Sequence, residues 1–313
     1  LKVRLGFDNY AVRAFRWKAP ELVDYAASLK IDLLLLSDLD VHESLSDAPL
    51  RETKARADAK GLMIHVGTGS ICSTSMMFDP SRGTAQEQLR TTIRVAKALG
   101  SPVARCFLGR GEDRTSPGGI GIHIHNTIQT FKAVRSYAID SGVRIALENH
   151  AGDLRAAELA ALIEEAGRDF VGATMDSGNA TWTLEDPLES LDTLGPHALT
   201  TGMRDSMIWE SPGGPVIQWV AIGEGLVDWK AYVRRFGELC PATPFVLEII
   251  SGGPRTFAAP ENPGPGFARF AAMARRGRPL QVPERPDNPD FQRSELERSL
   301  MYCRDVLGLG HNR

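Results

Sequence analysis

The chain has 313 residues, 42% of them apolar and 24% charged, with 36 Lys and Arg against 39 Asp and Glu for a formal net charge of −3. That balance excludes a protein that works by neutralising nucleic-acid phosphates, and no run approaches the ~18 apolar residues of a membrane-spanning helix. Four scattered cysteines, Cys72, Cys106, Cys240 and Cys303, show no CxxC spacing, so zinc ribbons and disulfide scaffolds are set aside and a cytoplasmic protein with reduced core thiols is expected.

In chain order, the first apolar run, Val3 to Phe7, reads as a strand, and Pro20 to Leu29 follows with helical spacing. The second strand, Ile31 to Leu36, is almost continuously apolar, as strands buried on both faces of a parallel sheet are. A helix over 50–60 and a strand over 62–66 come next, then a helix over 85–99 closed by Gly100 and a strand over 103–108. The alternation continues with a helix over 126–141 closed by Gly142, a fifth strand over 143–147, a helix over 154–166 closed by Gly167, and a sixth strand over 171–175. A short helix over 187–194 and a seventh strand over 198–203 lead to a helix over 228–239, an eighth strand over 245–249 and a last helix over 267–275. The stretches 205–225 and 251–266 read as long loops.

Eight strand–helix units in series specify an α/β protein with the (β/α)8 TIM barrel architecture, occupying residues 1–277 as the catalytic domain. A doubly wound open sheet is disfavoured because no GxGxxG follows the first strand. Residues 278–313 form a C-terminal extension: a Pro-rich linker with Pro279, Pro283, Pro286 and Pro289, then an amphipathic helix with Leu296, Leu300, Cys303 and Leu307 on one side. That helix is expected to pack on the barrel or on a neighbouring copy.

Barrels place their active sites at the carboxyl ends of the strands. Here those ends carry Asp8, Asp38, Glu148-Asn149-His150, Asp176, Arg204-Asp205 and Glu248. An ionised carboxylate within an aliphatic strand is costly unless it is paired or bound to metal, and both Glu148 and Glu248 stand in that position. Asp8, Asp38 and Asp205 have a plainer reading as strand-end salt bridges or helix caps. Glu148, Asp176 and Glu248 converging on one mouth call for a cation between them. All-oxygen ligation suits Mn²⁺ or Mg²⁺ better than a structural zinc, with Co²⁺ a further option.

The segments Ala146-Leu147-Glu148-Asn149-His150, Met175-Asp176-Ser177-Gly178-Asn179, Arg204-Asp205, Gly223-Glu224-Gly225 with Val227-Asp228, and Leu247-Glu248 give the chain its likeness to a known family. In them it resembles the xylose isomerase-like TIM barrels, a group that includes sugar-phosphate isomerases and epimerases, ketose 3-epimerases and C-glycoside deglycosidase large subunits. The resemblance implies that Glu148, Asp176 and Glu248 are ligands of one divalent metal, Mn²⁺ foremost. It also implies that Glu148 and Glu248 are paired bases moving a proton next to a sugar carbonyl by way of an ene-diolate. One position departs from the pattern: Gly202 stands where the family's seventh strand carries a metal-binding His. A water or substrate oxygen is expected to complete the shell there, with His150, Gln218 or weak binding as the alternatives. Asn179 is a second departure, standing where many relatives have a substrate-holding His.

His150 shares side-chain parity with Glu148 and is a candidate catalytic base or hydroxyl ligand. Arg105, Arg204, His65, Asn179 and Trp182 are candidate substrate-binding residues, against plainer readings as ion pairs and core packing. His123 and His125 look like a metal pair in a Gly-rich loop, but no third ligand is in prospect. The expected activity is therefore a metal-dependent isomerase or epimerase of a sugar or keto-sugar. The alternative is a lyase that cleaves 3-keto O- or C-glycosides by β-elimination. A small-molecule sugar is the expected partner, with neither nucleic acid nor membrane; a homo-oligomer is expected, and the deglycosidase likeness adds a small partner subunit.

Overall fold

The structure is a computed structural model that describes residues 3–260, 264 and 266–310. Six strands come first: β1 (Leu5–Asp8), β2 (Leu33–Leu36), β3 (Met63–Ser70), β4 (Val103–Phe107), β5 (Arg144–Glu148) and β6 (Val171–Asp176). The helices among and after them are α1 (Ala19–Ser28), α2 (Asp47–Ala59), α3 (Ala85–Leu99), α4 (Gly119–Ser141), α5 (Ala156–Ala166), α6 (Ser177–Trp182) and α7 (Pro187–Leu194). Then come β7 (Ala198–Gly202), β8 (Asp205–Trp209), β9 (Val216–Val220), α8 (Trp229–Leu239), β10 (Phe245–Leu247), β11 (Arg255–Thr256), α9 (Phe267–Ala274) and α10 (Pro289–Asp305).

Local chemistry sets these boundaries. Thr84 and Glu87 exchange hydrogen bonds across the first turn of α3, a capping box, and Gly100 ends the helix at φ 72°. In β2, Leu33 and Leu35 turn into the barrel with Val246, while Leu34 and Leu36 join the larger layer between strands and helices. Alternation thus splits one leucine run between two cores.

The eight barrel strands run parallel in the order β10-β1-β2-β3-β4-β5-β6-β7. β7 and β10 meet through one bridge, Met203 opposite Leu247, with Met203 donating to the Val246 carbonyl at 2.7 Å. The chain is a (β/α)8 TIM barrel, and its strand ends converge on one mouth.

Three expectations change. The 205–225 stretch is an antiparallel hairpin, β8 on β9, extended by β11 into a three-stranded sheet. Its turn closes between Ser211 and Gly214, which exchange backbone bonds with Gly214 at φ 111°. The remainder of the 251–266 loop lies partly outside the described residues. The expected Gly-rich loop around His123 is the first part of α4. Two positions apart on a helix, His125 is exposed while His123 is buried between Thr74 Oγ1 (2.8 Å) and Ser116 Oγ (2.7 Å), so they form no pair.

Helix α10 lies on the barrel. Leu296, Leu300 and Cys303 join the main core, Gln292 Oε1 accepts from the Ala14 backbone at 2.9 Å, and Ser299 Oγ accepts from Ile222 at 3.1 Å. All four cysteines are buried and free. No helix among the described residues is long and apolar enough to cross a membrane.

Candidate active site

Glu148 ends β5, Asp176 ends β6 and Glu248 follows β10. One oxygen from each lies within 4.8 Å of the others, and all three residues are buried, a grouping able to hold one metal ion. Two arginines reach the same oxygens. Arg105, on β4, donates from Nε to Glu148 Oε2 at 2.6 Å and forms an ion pair with the same oxygen through Nη2, while its Nη1 donates to the Thr68 carbonyl at 3.2 Å. Arg204 donates from Nε to Asp176 Oδ2 at 3.0 Å and from Nη2 to the same oxygen, and its Nη2 forms an ion pair with Glu248 Oε2 at 2.9 Å.

Asn179, in α6, completes the set. Its backbone N–H donates to Asp176 Oδ1 at 2.7 Å, so Asp176 caps that helix as well as facing the mouth. Its Nδ2 donates to Glu148 Oε1 at 3.1 Å, while its Oδ1 is buried with no partner. A buried orphan acceptor beside reactive carboxylates is a place for a substrate hydroxyl or a water to donate.

Charge in this enclosure is unbalanced. Burial, reinforced by the charge of Glu248, raises the Glu148 carboxyl to about 7 against the pull of Arg105. Burial raises Asp176 as well, against the Arg204 guanidinium. Asp8, at the end of β1, is lifted to about 7 by burial and by Glu248, while its Oδ1 accepts from Ser37 Oγ at 2.6 Å and from the Tyr10 backbone at 2.8 Å. Asp8 is thus a cap, as its plainer reading had it, that also lies in the field of Glu248. The guanidiniums of Arg105 and Arg204 are held above their ordinary range because neighbouring carboxylates outweigh their burial.

The other candidates divide. His150 stacks on Phe107 at 3.8 Å, and its Nδ1 meets the Gly109 carbonyl at 2.7 Å. A carbonyl only accepts, so Nδ1 holds the proton and Nε2 keeps a lone pair. Burial and the charges of Arg105 and Arg204 lower the imidazole to about 3, leaving it neutral. His65 is inside the barrel on Thr200 Oγ1 at 3.0 Å, lowered to about 3 by burial, and no recorded contact joins it to the carboxylates. Trp182 stacks on Trp219 at 4.1 Å and 9°, and Trp219 in turn covers the Arg204 guanidinium at 4.1 Å. Gln218, next to Trp219 on β9, takes the opposite face of the strand, where its Nε2 donates to the Gly252 carbonyl at 2.9 Å. Asp205 accepts from the backbones of Gly223 and Gly225 and from Trp229 Nε1, a structural anchor beneath the hairpin.

Whether this donor set fits a divalent ion turns on Gly202 and Arg204. A Cβ at Gly202 would lie 2.8 Å from Asp176 Oδ2 and 3.4 Å from Glu248 Oε2, so the position does face the carboxylates, and it supplies no ligand. The carboxylates are near enough to share one ion, but an oxygen of each is already bonded to a guanidinium. A divalent ion fits the spacing and not the arrangement as folded.

The sequence profile of the family described as xylose isomerase-like TIM barrel matches residues 23–269. An uncharacterised Escherichia coli (strain K12) protein, YihM, is 31% identical over 98 residues, covering 31% of this chain and 30% of that protein, so the chain spans under a third of the curated relative it matches. Among solved structures, a D-psicose 3-epimerase crystallised in the presence of D-fructose superposes with a TM-score of 0.68 at 14% identity, covering 97% of this chain and 99% of its own. The IolI protein with a bound zinc atom superposes with a TM-score of 0.63 at 14% identity, covering 87% and 95%. At such identities these likenesses are of fold.

Proposed function

The chain belongs to the xylose isomerase-like TIM barrel family, and from that premise we propose that it is a sugar isomerase or epimerase that moves a proton next to a carbonyl, with Glu148 and Glu248 as the proton-transferring groups. The observation that supports this most is the pairing of these two buried carboxylates at one mouth, their oxygens within 4.8 Å and each ion-paired with a guanidinium. One small carbonyl-bearing fragment reaches both. A carboxyl raised to about 7, as in Glu148, exchanges protons near neutrality in either direction, which general acid–base work requires.

In this reading the substrate's carbonyl and neighbouring hydroxyl lie across the mouth. One carboxylate removes the proton from the carbon beside the carbonyl, and the C–H electron pair moves toward the carbonyl oxygen to give an ene-diolate. Arg105 and Arg204 supply hydrogen-bond donors for the developing oxyanion. The unpartnered Oδ1 of Asn179 accepts from a sugar hydroxyl, and the free lone pair on His150 Nε2 is a second acceptor. Return of a proton from the other carboxyl group, to the opposite face or the adjacent carbon, completes epimerisation or isomerisation. The divalent ion of the expected mechanism, Mn²⁺ or Mg²⁺ by the hardness of its oxygen donors, would need Glu148, Asp176 and Glu248 as ligands, and the arrangement as folded gives those oxygens to the guanidiniums instead.

The test is loss of the proton beside the carbonyl of D-fructose or D-psicose in deuterium oxide, followed by proton NMR. Exchange is expected in the wild type. Glu148→Gln and Glu248→Gln should each slow it by about 10²- to 10⁴-fold, the usual worth of a general acid or base. Full activity in either variant would refute the paired-carboxylate mechanism, and release of an aglycone from a 3-keto glycoside without exchange would move the protein to the lyases.

A further inference from the structure

Arg204 is cradled on every side. Its backbone N–H donates to Ser177 Oγ at 2.9 Å, and that hydroxyl donates back to the Arg204 carbonyl at 2.8 Å. Gly178 leaves room for the side chain: a Cβ there would come within 2.8 Å of Arg204 Cβ and 3.1 Å of its Nε. The Trp219 ring covers the guanidinium, and the residue is 3% exposed. At the far end Nε and Nη2 hold Asp176 Oδ2 and Glu248 Oε2. These are the two oxygens that a side chain at Gly202 would approach. A residue without a Cβ at 202 and another at 178 together clear the volume in which a guanidinium bridges two carboxylates.

We propose that the Arg204 guanidinium is the resident cation of this site, bridging Asp176 and Glu248 where a divalent ion would otherwise do so, and that the protein works without a metal. A guanidinium stays charged at any working pH and offers five donors in a planar fork. Arg204 uses Nε and Nη2 in the recorded bonds, which leaves the Nη1 hydrogens for a substrate oxygen. The step rests on the proposed proton transfer: the C–H bond breaks, its proton goes to a carboxylate, and its electron pair forms the C–C π-bond. The carbonyl π-pair then goes to oxygen, whose charge the Nη1 donors hold until a carboxyl group returns a proton to carbon. To enter, a divalent ion must take both bridged oxygens from Arg204 and drive a buried cation off the Trp219 face, leaving that charge unpaired.

The experiment measures metal directly on the full chain. Protein purified without chelator is analysed by inductively coupled plasma mass spectrometry and then titrated with Mn²⁺, free ion being followed by electron paramagnetic resonance. The comparison is with the double variant Gly202→His, Arg204→Gln. The wild type is expected to hold no stoichiometric metal, and the double variant to bind Mn²⁺ at least about tenfold more tightly, because it gains a ligand and loses the competing cation. Stoichiometric metal in the wild type, or wild-type Mn²⁺ affinity equal to that of the variant, would overturn the assignment. The wild-type measurement stands even if the variant does not fold. Absence of proton exchange with every ketose would instead sink the proton-transfer reading and leave the metal result intact; bound Mn²⁺ in an exchanging wild type would do the reverse.

Discussion

Glu148 holds its proton up to about 7 against an ordinary 4.5, chiefly because it is buried. The folded chain therefore binds that proton more tightly than the unfolded chain, and the resulting stabilisation is complete below 4.5 and lost as pH rises through 7. Glu148→Gln, which keeps the shape without the titration, should gain up to about 3 kcal/mol relative to the wild type across that window, read from urea unfolding at each pH. A difference that does not vary with pH would show that the carboxyl titrates in the ordinary range. The candidacy of Glu148 and Glu248 was legible in the sequence because acids inside aliphatic strands are rare and expensive. That Arg105 and Arg204 could form ion pairs with strand-end acids was legible too, but not which acid each takes. Parity says which face of a strand a side chain takes, but the partner comes from a different strand and is fixed only when the ring closes.

At the scale of elements, the barrel alternation was readable nearly end to end because each helix shows its apolar spacing and several end at a glycine. The hairpin of β8 and β9 was missed for a physical reason: these two strands belong to no strand–helix unit, and the alternation in Met207 to Trp209 and Val216 to Val220 is too short to stand out inside a barrel loop. What anchors that hairpin is Asp205, whose carboxylate accepts from Gly223 and Gly225 at 2.9 and 3.0 Å and from Trp229 Nε1 at 2.8 Å. Asp205→Ala leaves those donors without their acceptor and should destabilise the fold by about 3 kcal/mol or more, measured by denaturant unfolding. Asp205→Asn, which keeps one accepting oxygen, should lose less. Equal losses in the two variants would mean that the acceptor role is not what holds the loop.

For the whole molecule, the C-terminal extension is tied to the first elements of the barrel: Gly310 donates to the Val3 carbonyl at 2.9 Å, and Arg304 Nη2 donates to the Lys30 carbonyl at 3.1 Å. Leu300 is 1% exposed within the same core as the strands. Leu300→Ala should therefore cost about 2 to 5 kcal/mol, and it should shift the single unfolding transition of the barrel rather than create an earlier one. A separate early transition, seen by tail fluorescence or hydrogen exchange, would show that the extension unfolds by itself.

The column formed by Arg204, Trp219, Trp182 and Arg255 joins the buried carboxylates to the exposed Arg255, whose guanidinium lies 4.7 Å over the Trp182 ring. Two nearly parallel, stacked indoles at that spacing couple their excited states, so the protein is built with an optical gauge beside its reactive groups. Whatever moves the inner guanidinium off its indole, a ligand or a competing ion, will alter the circular dichroism and emission of the pair without any label attached.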